Sequence, residues 1–146
     1  MSVSVALVIT GAVLALAIVC GFAVRAQDGR RRSGGRLRVR SGDLGGRSLA
    51  ATATLVQFST ELCARCPQVR RLLGQISGEH AGIAHIEIDL TNRNDLATRY
   101  HVLQTPTTFL VDASGSVLSR WGGVPHRRTI EDALAPVLTL EPQEQK

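Results

Sequence analysis

The stretch Leu55-Val56-Gln57-Phe58-Ser59-Thr60-Glu61-Leu62-Cys63-Ala64-Arg65-Cys66-Pro67 constrains the fold of this chain more than any other. An apolar run rich in strand formers leads into a short polar link, and a Cys-x-x-Cys then opens a helical pattern. That motif, placed where a strand enters a helix, points to redox chemistry. The spacing predicts both sulfurs within the first helical turn, close enough to form a small disulfide ring. The positive end of a helix stabilises a thiolate, and such sites commonly lower a cysteine pKa from about 8.5 to about 7 or below. Cys63 is the expected nucleophile, and Cys66, one turn inward, the expected resolving thiol. A structural zinc site would need four ligands, usually a second cysteine pair or two closely spaced histidines. There is no second pair, and His80, His85, His101 and His126 lack that spacing. No metal or organic cofactor is expected.

Around this motif the chain alternates strand and helix patterns. Thr54 to Ser59 reads as a buried central strand. A helix is expected from about Cys63 to Ser77, with Val69, Leu72, Leu73 and Ile76 in one stripe and Pro67 pinching its first turn. Ile83 to Asp89 reads as a second strand. A short helix follows within Thr91 to Tyr100, with Leu96 and Tyr100 inward. Thr107 to Val111 and Val117 to Trp121 form a hairpin across Asp112-Ala113-Ser114-Gly115. A last helix, about His126 to Leu138, is expected to kink at Pro136. Trp121, the single tryptophan, is expected on the hairpin surface without a catalytic role.

The order of these elements, together with Cys63-Ala64-Arg65-Cys66 and Thr105-Pro106-Thr107 ahead of the later strand, resembles the thioredoxin superfamily from about Ala53 to Leu140. The resemblance implies an α/β, three-layer fold around a mixed central sheet, with its first strand and helix shortened here. It implies a cis Pro106 that exposes the backbone of Thr105 to pair with an extended substrate, and a Gly122 that lets substrate approach. Three positions depart from the family pattern. Ala64-Arg65 replaces the usual Gly-Pro; the Arg65 charge should favour the thiolate and give a more oxidising couple. Gln57 stands where a buried aspartate usually accepts a proton, which an amide cannot do. Leu62 replaces the usual tryptophan. Water, Glu61 or His85 remain as proton acceptors for Cys66.

Ahead of this domain, Val3 to Val24 contains no charged residue. As a helix it would span about 33 Å against a hydrocarbon core of about 30 Å. A cleaved signal peptide normally has a basic start and a shorter apolar run, so a retained single-span transmembrane helix is expected. Arg25, Arg30, Arg31, Arg32, Arg36, Arg38 and Arg40 follow it, which by the positive-inside rule places the redox domain in the cytoplasm; an extracytoplasmic domain is the alternative. Residues 1–25 are thus read as an anchor, 26–50 as a basic, solvated Gly/Arg-rich linker with Leu37 and Val39 in a short edge strand, 51–141 as the thioredoxin-like domain and 142–146 as a polar tail. The linker arginines also suit anionic lipid head groups. The formal net charge of +5 brings nucleic acid to mind, but aromatics make up only 3% of the chain, too few for a stacking platform.

These features together predict a membrane-tethered thiol–disulfide oxidoreductase acting on protein disulfides, with electrons supplied by a separate reductase. A non-catalytic redox sensor gating a membrane partner is the alternative. A peroxidase would work from a Thr-x-x-Cys geometry rather than a vicinal pair.

Overall fold

The computed structural model describes residues 2–139. The polar tail expected at 142–146 lies outside them. Helix α1 (Val3–Gln27) has a mean hydropathy of 2.7 in its most apolar window and buries none of that window in the protein. It is long and apolar enough to cross a membrane.

After α1 come β1 (Arg31–Ser33), a 3-10 turn (Ser41–Asp43), β2 (Ala53–Ser59), α2 (Cys66–Glu79), β3 (Ile83–Asp89), α3 (Asn94–Arg99), β4 (Thr107–Asp112), β5 (Val117–Gly122) and α4 (Arg127–Thr139). The strands form one mixed sheet in the order β1-β5-β4-β2-β3. Only β2 and β3 run parallel; the other pairs are antiparallel. A parallel pair requires a crossover, and α2 supplies it. Successive strand residues point to opposite faces. Leu55 and Leu110 therefore pack with Val69, Leu73 and Ile76 of α2 and with Ile130 and Leu134 of α4. Their neighbours Val56 and Phe109 pack on the other face with Leu96 and Tyr100. The result is the three-layer α/β arrangement expected from the sequence.

The structure revises several local readings. Helix α2 begins at Cys66, so Cys63 lies in the preceding turn, with Cys66 N–H donating to the Cys63 carbonyl at 3.2 Å. Pro67 then falls within the first helical turn, where a missing N–H costs no helical bond. Leu72 is only partly buried beside the stripe.

The basic stretch after α1 is not a solvated linker throughout. Strand β1 pairs with β5, and Arg38 makes a further bridge to Ser116. Between them, a Cβ on Gly34 would lie 1.9 Å from the Val117 carbonyl oxygen, so only glycine fits. Leu37 and Val39 lie along the sheet edge but outside β1; the Leu37 carbonyl accepts from Val117 N–H, and Val39 N–H donates to Gly115. Val39 and Leu44 are buried, and they cover a sheet face that the six-residue α3 is too short to shield. Burying side chains of this size contributes about 1.5–3 kcal/mol each. Asp43 anchors the turn, accepting from the Tyr100 hydroxyl and from Arg99.

Trp121 is fully buried rather than on the hairpin surface. The register between β4 and β5 slips at Leu110/Val111. Val117 therefore packs on the α3 face, whereas Trp121 packs on the face of α2 and α4.

Candidate redox site

Three segments meet at the end of the sheet where β2 delivers the Cys-x-x-Cys. The Cys63 and Cys66 sulfurs are 2.04 Å apart, at disulfide distance, with Cα atoms separated by 5.4 Å. Cys63 is half-buried, while Cys66 is 2% exposed at the head of α2. The Thr105–Pro106 peptide is cis, and the hydroxyls of Thr60 and Thr105 lie 3.2 Å apart. This hydrogen bond ties the Cys loop to the proline loop. Gly123 N–H donates to the Pro106 carbonyl at 2.7 Å, which adds the loop after β5. Thr105 is thus linked to the loop that carries the cysteines, and Pro106 to Gly123, the residue after Gly122. Leu62, immediately before Cys63, is 97% exposed, and Leu103 in the proline loop is 96% exposed.

Beneath the cysteines the usual acid is replaced by an amide network. Gln57 is fully buried. Its Nε2 donates to the Cys66 carbonyl at 3.0 Å, and its Oε1 faces His85 Nε2 at 3.1 Å. Of the residues considered for proton transfer, His85 reaches Gln57. Burial pushes its pKa down, as do Arg47 and Arg70, against an upward pull from Glu87. Glu61 instead lines a cavity shared with Cys63, Cys66 and Pro67. Glu87 lines it too. Burial pushes this carboxyl up, but the paired hydrogen bonds from Arg70, 2.6 and 2.9 Å, outweigh that and hold it below the usual range.

Sequence reasoning missed the residues that follow α1. Gly29 N–H donates to the Gly122 carbonyl at 2.6 Å, and Asp28 forms an ion pair with Arg65. The segment leaving α1 thus touches both Gly122 and the dipeptide between the cysteines. A signal existed, since Asp28 is the only acid before Asp43 in a stretch dense with arginine. The structure also gives Arg65 a counter-charge that the sequence reading did not supply.

Fold and site together define a thioredoxin-like redox protein. A thioredoxin family model matches residues 47–135, and the chain belongs to the thioredoxin family. It is 28% identical over 80 residues to thioredoxin C-2 of Corynebacterium nephridii, covering 54% of this chain and 74% of that protein. Among solved structures, a thioredoxin variant from Halobacterium salinarum superposes with a TM-score of 0.56 at 19% identity, covering 73% of this chain and 91% of the other. Thioredoxin-2 of the malaria parasite, described as a component of protein secretion machinery, gives 0.53 at 17% identity, covering 58% and 82%. At these identities the structural matches speak for the fold alone.

Proposed function

We propose that the protein is a membrane-tethered thiol–disulfide oxidoreductase acting on protein disulfides. The carrying observation is the unequal exposure of the two cysteines, since an incoming disulfide can reach half-buried Cys63 but not Cys66. In the reduced enzyme, the Cys63 thiolate attacks one substrate sulfur. A Cys63–substrate bond forms, the substrate S–S bond breaks, and the second substrate sulfur leaves as a thiolate that takes a proton from water. Cys66 then loses its proton to solvent in the cavity it shares with Glu61, because Gln57 is not a base. Its sulfur attacks the Cys63 sulfur, the Cys63–substrate bond breaks, the substrate sulfur that Cys63 had captured leaves as a thiolate that takes a proton from water, and the Cys63–Cys66 disulfide is restored. The substrate gains two electrons and the enzyme loses two, which a separate reductase must return.

In this reading Thr105, beside Pro106, offers backbone to the substrate strand, and Gly122 leaves room for it. Arg65 favours the Cys63 thiolate, moderated by Asp28. Helix α1 is the anchor, in contact with lipid, and the arginines after it hold the redox domain on the cytoplasmic side. Nucleic acid has no part in this function. The test is Cys66→Ser in the full chain under mild oxidation. Mixed disulfides through Cys63 should accumulate and disappear on adding dithiothreitol. Recovery of none, with Cys63 still alkylatable, would refute the mechanism.

A further inference from the structure

A cleft of about 530 Å³ opens where the end of α1 meets the edge of the sheet. Five arginines line it, namely Arg25, Arg30, Arg32, Arg65 and Arg120, against one carboxylate, Asp28, which is already paired with Arg65. Two of these arginines are a like-charged cross-strand pair. Arg32 and Arg120 are directly opposite each other on β1 and β5, and like charges in that position destabilise a sheet. No acid among the described residues bridges them. Arg120 is held by the His101 carbonyl at 2.9 Å and lies over the Phe109 ring at 5.2 Å. Burial, then Arg32, pushes its pKa down. A fixed guanidinium with a second cation opposite it and no carboxylate between them is suited to an anion with several oxygens.

The rest of the cleft wall narrows the choice. Gly21 and Val24 of α1 contribute to it, so it reaches from the apolar helix to the arginines. An acidic polypeptide would have no use for that apolar side, whereas a lipid has both a phosphate and a tail. We infer that this cleft binds the head group of an anionic phospholipid, with its phosphate between Arg32 and Arg120 and its acyl chains along the end of α1. The inference rests on the reading of α1 as a membrane anchor. It assigns the cluster a defined site rather than a diffuse attraction to the membrane surface, and it sets the Cys63 loop, through Arg65, at head-group level.

The test uses the full chain in mild detergent, offered phosphatidylglycerol and phosphatidylcholine at equal concentration, with retained lipid counted by native mass spectrometry. The wild type should retain phosphatidylglycerol preferentially. Each arginine at an anionic surface is worth about a fivefold preference, so Arg30→Gln/Arg32→Gln should retain about thirtyfold less. Arg120→Gln should lose about fivefold, and covers the case in which the double variant misfolds. Arg71→Gln/Arg128→Gln removes the same charge outside the cleft and should retain phosphatidylglycerol like the wild type. Equal retention by the cleft variants, or an equal loss in the control pair, overturns the inference. So does complete displacement of the lipid by inorganic phosphate or by a polyglutamate peptide. Carbonate extraction of membranes separates the two failures. Release of the chain sinks the anchor reading, whereas a retained chain with unselective lipid binding sinks only the head-group site.

Discussion

Replacing Gln57 tests whether the link beneath the cysteines is dry and held by hydrogen bonds. The side chain is fully buried and makes two contacts, to the Cys66 carbonyl and to His85. Gln57→Leu keeps nearly the same volume, so no cavity opens. Each lost hydrogen bond costs about 1 kcal/mol net. The half-buried His85 can turn toward water, and the added apolar burial offsets part of the loss. The expected net cost is about 1–2 kcal/mol, a fall in melting temperature of roughly 5–10 °C for a domain of this size. Gln57→Glu keeps the shape but changes the sign of the interaction. An ionised carboxylate only accepts hydrogen bonds, so it cannot donate to the Cys66 carbonyl. Full burial, with His85 Nε2–H as its one side-chain donor, raises its folded pKa above the unfolded value of about 4.3. Stability is then retained below the unfolded pKa and lost as pH rises through the folded one. The neutral His85 ring can donate its Nε2–H to one carboxylate oxygen, which offsets part of this, and full compensation by a charged ring is opposed by its own burial. The assay is urea unfolding of the full chain in detergent, followed by the fluorescence of Trp121, from about pH 4 to pH 8. Gln57→Leu should show a constant deficit, and Gln57→Glu one that grows with pH. Parallel profiles for the two variants would refute the dry link.

Two further outcomes follow from buried groups. Trp121 is fully buried, and its indole N–H has no acceptor among the described residues. Trp121→Phe gives up about 1 kcal/mol of packing but removes a donor whose burial costs about 1–3 kcal/mol. Its urea midpoint should match or exceed that of the wild type, whereas Trp121→Ala should lose about 3–5 kcal/mol; circular dichroism would report both. Burial lowers the pKa of His85 below its unfolded value of about 6.5. Its stabilising contribution is thus complete above that value and is lost as pH falls through the folded pKa. Wild type should lose more stability than His85→Gln between about pH 7 and pH 5, and equal losses would show that the ring is not desolvated.

The parts of this fold legible in sequence were those with a period. Val69, Leu73 and Ile76 marked the inner side of α2, and the apolar runs of β2 and β4 marked central strands. The closeness of Cys63 and Cys66 was legible in their spacing, and the cis Pro106 in the resemblance that Thr105-Pro106-Thr107 carries. What escaped was aperiodic. Val39 and Leu44 are isolated apolar residues in an Arg/Gly stretch, and only the shortness of α3 gives them something to cover. Trp121 changed face because of a register slip between β4 and β5 that leaves no mark in the alternation. Asp28 and Arg65 are 37 residues apart in sequence, and nothing local to either one announces the other.

The stitching of β1 onto β5 has a consequence for reach. Only Asp28, Gly29 and Arg30 separate the end of α1 from the sheet, a gap that even fully drawn out is about 13 Å across its four peptide units. Under the proposed anchoring of α1 in a bilayer, the redox domain is mounted on a short post rather than swinging on a rope. On that proposal its working radius is a thin zone next to the lipid, and a disulfide far out in the surrounding fluid would have to come down to meet it.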